Sequence, residues 1–297
     1  MTSPRCGYVA IIGRPNVGKS TLLNQMLGQK VSITSRKPQT TRHKLLGIKT
    51  SAEHQILYVD TPGIHGNEPK AINRYMNRSA LGVIRDVDLV VFMLDRTAWT
   101  KDDQKVADAL SRHDRRLIIV INKIDKLDKK NDLLPVMAKL QSIFPDADLI
   151  PLSAETGENV AHLESIIGDH LPEGPFLFPH DQITDRSERF LISEIVREKL
   201  TRQLGDELPY ALTIQVDRYK ETPGLTEIDV TIFIEKDSQK AILIGKDGTR
   251  IKQIGRDARK DIELLVDAKV MLTTWVKVKS GWSDDERALK SLGYDDA

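Results

Sequence analysis

Gly13-Arg14-Pro15-Asn16-Val17-Gly18-Lys19-Ser20 reads G-x-x-x-x-G-K-[ST]. An apolar run over residues 8–12 precedes it and a helical pattern over 21–27 follows, so the motif stands between a strand and a helix, as it must. Gly13 and Gly18 let the backbone curl, and the N–H groups from Val17 through Thr21 can then point at phosphate oxygens. The helix start adds the positive end of its dipole. Lys19 would reach the β- and γ-phosphates, and the Ser20 hydroxyl would bind Mg²⁺.

The 297 residues predict about two domains, each long enough to bury a core. Hydrophobic content of 40% and charged content of 29% are those of a soluble globular chain. Net charge is +1, so contact with nucleic acid has to come from a local patch. The single cysteine, Cys6, permits no internal disulfide and favours a reducing, cytoplasmic setting in which it packs before a buried strand. The first seven residues hold no apolar stretch, so no signal peptide is expected. Apolar runs such as residues 89–94 fall far short of the roughly 20 residues a transmembrane helix needs.

Outward from the glycine loop, short apolar strands alternate with helical patterns. Strands are expected over 8–12, 44–50, 55–60, 89–94, 117–122 and 149–152, and helices over 19–27, 72–86, 101–111, 132–144 and 160–170. Near-continuous strands such as Leu89-Val90-Val91-Phe92 suggest a mostly parallel, doubly wound α/β sheet, which places ligands at the carboxyl ends of its strands. Three strand ends carry polar signals. Asp60-Thr61-Pro62-Gly63 offers a carboxylate for Mg²⁺ through a water and, at Gly63, an N–H free to approach a γ-phosphate. Asn122-Lys123-Ile124-Asp125 offers at Asp125 a carboxylate that can accept from both N1–H and the N2 amino group of guanine, donors adenine lacks there. Ser153-Ala154 offers a backbone N–H for guanine O6. The polar loop 34–42 contains Gln39-Thr40-Thr41-Arg42, where a threonine could bind Mg²⁺ only while the γ-phosphate is present.

Five such elements in one order form the GTPase pattern, and residues 8–171 resemble the translation-factor-like P-loop GTPases of the Era group. The resemblance implies GTP and GDP as ligands, with Lys19 and Ser20 on phosphate and Mg²⁺, Asp60 an outer Mg²⁺ ligand, and Asn122, Asp125 and Ala154 reading guanine. It implies Thr40 or Thr41 at Mg²⁺; spacing does not choose between them. Ile64 stands where Ras-type proteins place a water-orienting glutamine. The group's other device is a K⁺ ion held by the phosphate-loop asparagine, here Asn16, which would neutralise charge developing in hydrolysis. Asn16, Lys19, Thr41 and Gly63 are accordingly the candidate catalytic residues.

The stretch 171–179 holds three prolines and a glycine and reads as a linker, with Phe176 and Phe178 available to tack it to a surface. Domain limits follow at 1–171, 172–185 and 186–297. In the last part a helix over 187–204, ended by Gly205, precedes two alternating strands joined at Pro223-Gly224. A short helix over 240–244, the loop Gly245-Lys246-Asp247-Gly248, a helix through Ile251, Ile254, Ala258 and Ile262, and an alternating strand from Val270 to Val278 complete it. That order resembles the α+β KH fold of prokaryotic type, which implies RNA contact through Gly245, Lys246, Asp247, Gly248, Arg250 and Lys252. Residues 240–260 carry seven Lys and Arg against two Asp, a local charge of +5 in a nearly neutral chain. The tail 283–297 is acidic with a short helical stretch.

A GTPase followed by a KH domain resembles the bacterial GTPases of small-ribosomal-subunit assembly. The resemblance implies a monomeric switch that binds the 3′ end of small-subunit rRNA, with loops 34–42 and 64–71 responding to the γ-phosphate, and peripheral contact with the inner membrane in the family. Two rival readings are a passive RNA-binding module with a structural nucleotide domain, and a signalling GTPase at a membrane surface.

Overall fold

The apolar run ahead of the glycine loop forms β1 (Arg5–Ile12), a central strand of a six-stranded sheet. Its companions are β2 (Leu45–Thr50), β3 (His54–Asp60), β4 (Leu89–Asp95), β5 (Arg116–Asn122) and β6 (Asp148–Pro151), in spatial order β2-β3-β1-β4-β5-β6. All neighbours pair in parallel except β2, which runs antiparallel to β3 at the edge. The order reverses at β1, so a crevice opens where β1, β3 and β4 end, and the glycine loop lies there. Helices α1 (Lys19–Leu27), α2 (Ala71–Gly82), α3 (Lys101–Leu110), α4 (Leu133–Ile143) and α5 (Val160–His170) complete the layers. This computed structural model describes residues 3–37, 39–64, 70–205 and 211–294. Parts of the expected loops, residues 38 and 65–69, and Asp295 and Asp296 of the acidic tail lie outside the described residues.

One face of the sheet buries Ile12, Val90, Phe92, Ile119 and Ile121 against Val106 of α3 and Leu140 of α4. Each such aliphatic side chain contributes about 1.5–3 kcal/mol by leaving water. The helix expected over 72–86 ends instead at Gly82 and continues as one 3₁₀ turn, Val83–Arg85. The stretch read as a linker is strapped to the sheet. The buried Gln55 side chain donates from Nε2 to Phe178 O (2.8 Å) and accepts from the N–H groups of Leu177 (2.7 Å) and Phe178 (3.0 Å). Cys6 N–H donates to Pro172 O and Ile48 N–H to Ile183 O, while Phe176 and Phe178 pack around Cys6, Ile48 and Leu57. The compact unit that holds the sheet therefore runs on to Asp185: it comprises Met1–Thr34, Thr41–Glu68 and Met76–Asp185, and the second comprises Ser35–Thr40, Pro69–Tyr75 and Arg186–Ala297.

In the second unit, β7 (Leu212–Thr222), β8 (Leu225–Ile234) and β9 (Val270–Val278) form a sheet in that order, β7 antiparallel and β9 parallel to β8. Alternation sends Ile228, Val230, Ile232 and Ile234 inward, against Ile192, Val196 and Leu200 of α6 (Glu188–Gln203) and Ile254, Ala258 and Ile262 of α8 (Thr249–Val266). The Ser187 hydroxyl caps α6 by accepting from Phe190 N–H. The helix leaves through Leu204 in extended backbone (φ −92, ψ 155) rather than through a left-handed Gly205. Helix α7 (Asp237–Ile244) starts three residues before the expected point, because Gln239 Oε1 accepts from Glu235 and Lys236 N–H groups. In the tail, α9 (Glu286–Ser291) is capped by Asp285, and Trp282, Leu289 and Tyr294 are buried.

Candidate nucleotide site and nucleic-acid interface

The glycine loop turns directly into α1 through Gly18, whose φ of 107 needs a residue without a side chain. A Cβ there would also meet Asn122 Nδ2 at 2.2 Å. Lys19 is buried, and its ammonium donates to Gly13 O and Arg14 O at 3.0 Å each, curled inside the loop. Burial lowers its pKa to about 8, with Asp60 pulling upward and Arg14 pushing further down.

Ser20, Thr41 and Asp60 come from the loop, the polar segment and the end of β3, and they meet. Ser20 Oγ lies 2.8 Å from Thr41 Oγ1 and donates to Asp60 Oδ2 at 2.8 Å; Ser32 Oγ donates to the same oxygen at 2.9 Å. Thr40 turns elsewhere, donating to Lys37 O and bonded to Ser35 Oγ. Burial pushes the Asp60 carboxyl up, opposed by Lys19 and the hydroxyl bonds. Asp60 Oδ1 is buried and has no hydrogen-bond partner among the described residues, an orphaned acceptor on a carboxylate whose other oxygen accepts from two hydroxyls. That donor set suits a hard cation. No group of three or more His, Cys, Asp or Glu among the described residues could hold a metal. Just beyond, the Gly63 backbone lies against Pro15, where a Cβ would meet Pro15 N at 2.7 Å, and Ile64 N–H donates to Gly13 O. Ile64 is buried in the main core, and its side chain has no polar atom with which to orient a water.

Asn122 is a keystone rather than a free side chain. Its Nδ2 donates to Val17 O (2.7 Å), and its Oδ1 accepts from the N–H groups of Lys123 (2.7 Å) and Ala154 (2.9 Å). One buried amide thus joins the glycine loop to the loops that follow β5 and β6. Lys123, left-handed at φ 64, sends its ammonium back to Asn16 O (2.6 Å) and Asp95 Oδ2 (2.7 Å). Asp125 is exposed and accepts at Oδ1 from the buried Ser153 hydroxyl at 2.6 Å, which fixes its orientation. The Asn16 side chain is exposed, on backbone at φ 64.

Sequence reasoning missed Asp95 and Asp103. Asp95 ends β4 directly beside Asn122 in register. Burial works against its ionisation, but bonds from Lys123 and Arg96 outweigh it and hold the carboxyl below the usual range. Asp103, fully buried, closes the capping box of α3 with Thr100 and accepts from Arg14 Nε at 3.1 Å. Its signal was available: a Thr-x-x-Asp box ahead of a helix. No pattern pairs it with Arg14.

In the second unit, the loop at residues 245–248 joins α7 to α8. Gly245 (φ 72, ψ 175) occupies a conformation only glycine enters, and a Cβ there would meet Arg250 Cβ at 2.8 Å. Gly248 (φ 71) has nothing closer than 3.9 Å. Lys246 and Asp247 are exposed. Arg250 is partly committed, donating to Ile242 O at 2.5 Å. Lys252 lines a groove of about 590 Å³ between α8 and β9, with Ile251, Gly255, Arg256, Arg259, Met271 and Thr274. Arg256 and Arg259 thus line the same groove as Lys252, beyond the residues 245–252 that the motif singled out.

The chain matches two family models, one described as a 50S ribosome-binding GTPase over residues 8–123 and one as a KH domain over residues 207–283. GTPase Era of Pseudomonas savastanoi pv. phaseolicola is 57% identical over 295 residues, 99% of this chain and 98% of that protein. The chain belongs to the Era family of GTPases. GTPase Era of Pseudomonas putida W619 is 58% identical over 292 residues, covering 98% of this chain and 97% of that protein. Among solved structures, a point variant of Aquifex aeolicus Era bound to GDP·AlF₄⁻ matches with a TM-score of 0.95 and 38% identity, over 98% of this chain and 99% of that one. Era in complex with MgGDPNP and nucleotides 1506–1542 of 16S rRNA matches with a TM-score of 0.95 and 37% identity over the same shares. As an Era-family GTPase the protein hydrolyses GTP, and its architecture is a P-loop GTPase domain followed by a C-terminal KH domain. No helix among the described residues is long and apolar enough to cross a membrane.

Proposed function

We propose that this GTPase is a switch that holds RNA near the 3′ end of small-subunit rRNA through its KH unit, and that turnover times its release from an assembling small ribosomal subunit. The observation that carries the reading is the cationic groove at residues 251–274, opening beside the glycine loop 245–248 on a chain with a complete set of GTPase motifs. A whole-chain relative was solved with Mg²⁺, a GTP analogue and 16S rRNA, which supports small-subunit rRNA over the 50S particle named for the model of residues 8–123 alone. The same reading places the protein in the cytoplasm as a monomer, any peripheral contact with the inner membrane falling to the basic segment 240–260.

Within the nucleotide site, Lys19 and the N–H groups of Gly13 and residues 16–21 hold the phosphates. Ser20 and Thr41 would hold Mg²⁺, with Asp60 behind a water; when bound, the ion neutralises charge on the β- and γ-phosphates. Thr41 takes this place because Thr40 is committed to Ser35 and Lys37. Asp125, oriented by Ser153, selects guanine, with Asn122 and Ala154 completing the base pocket. Asn16 would hold K⁺, the charge-neutralising group that the buried Ile64 cannot replace.

The test is RNA affinity with GDP and with a non-hydrolysable GTP analogue, then nucleotide affinity with and without RNA. A coupling of about 5- to 150-fold, equal in both directions, is expected. Equal RNA affinity in both nucleotide states refutes the switch. Gly248→Asp should remove RNA binding and spare GTP hydrolysis: aspartate tolerates left-handed backbone, nothing crowds the position, and its charge faces the phosphate backbone.

A further inference from the structure

The sheet of the second unit carries an aromatic residue that its core does not use. Along β9, Val270, Leu272, Val276 and Val278 pack on the core, while Met271 and Trp275 are 47% and 58% exposed. Single exposed apolar residues are ordinary, but these two share the edge strand that walls the groove. Met271 and Thr274 line it, and Trp275 follows at once on the far side of the strand. The strand itself is cationic: residues 269–280 contain Lys269, Lys277 and Lys279 and no carboxylate, Lys279 lying over the Phe233 ring and bonded to Ser291. The nearby carboxylates of β8 are engaged, Glu227 and Asp229 by Arg218. Asp217 accepts from Thr231, which is buried directly opposite Trp275 in the sheet register.

An exposed indole one residue beyond a cationic groove, with Lys277 two positions on along the same face of β9, has the chemistry of a base-stacking platform, since every nucleobase presents a π-face and a lysine can meet its phosphates. A glycine-loop clamp of this type holds about four nucleotides, so a longer strand must leave it. We propose that Trp275 stacks on an unpaired base of RNA that leaves the groove between α8 and β9 and crosses the edge of β9, extending the site beyond the clamp. The proposal rests on the reading of that groove as the KH site.

The experiment measures binding of single-stranded RNAs of about four and about twelve nucleotides, both taken from nucleotides 1506–1542 of 16S rRNA, at one stated salt concentration. The full-length protein is compared with Trp275→Ala, Trp275→Phe and Gly248→Asp, each checked for wild-type thermal unfolding. Trp275→Ala should weaken the longer RNA by about 5- to 150-fold and leave the shorter one unchanged, with Trp275→Phe recovering most of the loss. In a Trp99→Phe background, where the other remaining indole, Trp282, is buried, emission should be quenched by the longer RNA alone. If Gly248→Asp fails to bind while Trp275→Ala binds both RNAs normally, the platform is refuted, the groove reading stands, and the exposed indole is left for a protein partner. Equal weakening of both RNAs by Trp275→Ala, or no quenching, also refutes it. Normal binding by Gly248→Asp overturns the groove reading and the platform with it.

Discussion

Replacing Asn122 with alanine should destabilise the protein before any nucleotide is present. The side chain is only 2% exposed and serves three partners on three loops: Val17 O, Lys123 N–H and Ala154 N–H. Truncation leaves two N–H groups and a carbonyl without their partner. A buried group left unsatisfied costs about 1–3 kcal/mol, and Lys123 N–H is only part-buried, so the two buried groups, Ala154 N–H and Val17 O, set a loss of about 2–6 kcal/mol. For a unit of this size each kcal/mol shifts the midpoint by about 2–4 °C, so melting should fall by about 4 °C or more. The assay is thermal unfolding of nucleotide-free wild type and Asn122→Ala, with hydrogen exchange on residues 13–20 and 153–157 to localise the loosening. A simple base reader would behave differently: it would lose guanine affinity and leave the empty protein intact. Melting within about 1 °C of wild type, with GDP binding lost, would refute the keystone argument.

Asp125→Asn should move preference from GTP to XTP, because the accepting carboxylate oriented by Ser153 becomes an amide that can donate; unchanged GTP preference in a two-nucleotide binding assay sinks the assignment. Hydrolysis should be faster in K⁺ than in Na⁺ at matched ionic strength, and Asn16→Ala should erase the difference; a wild type indifferent to the cation ends the K⁺ reading. Phosphate binding needs Lys19 as an ammonium, and burial lowers its pKa to about 8, so the charged form is complete below that value and lost above it. GDP affinity should therefore be flat below pH 7 and fall by up to about tenfold per unit above pH 8. A flat profile from pH 7 to 9 would show that Lys19 stays charged there.

Strand and helix order was legible because it rests on local periodicity. The unbroken apolar run of β4 and the alternation of Ile228, Val230, Ile232 and Ile234 each reflect what one face of a sheet must bury. Element ends were less so. α2 stops at a glycine inside an otherwise helical pattern, and α7 begins early on a Gln239 cap that periodicity does not register. The proline-rich stretch 172–179 carries every sign of a loose linker, and its attachment depends on Gln55, 123 positions before Phe178.

By itself the sequence determined the fold class, the family and the loops on which chemistry would sit, since glycine loops and strand-end carboxylates are local signals tied to a mechanism. Only the tertiary structure decided which of those residues meet. It put Thr41 on Ser20 and turned Thr40 to Lys37, a choice between neighbours that spacing could not make. It made Asn122 the joint between loops 105 and 32 positions away, brought Asp95 under Lys123, and set Arg256 and Arg259 along the groove beside β9. The physical reason is the same in each case. A hydrogen bond or groove wall formed between distant segments depends on how strands and helices pack, and it leaves no periodic trace in the order of residues along the chain.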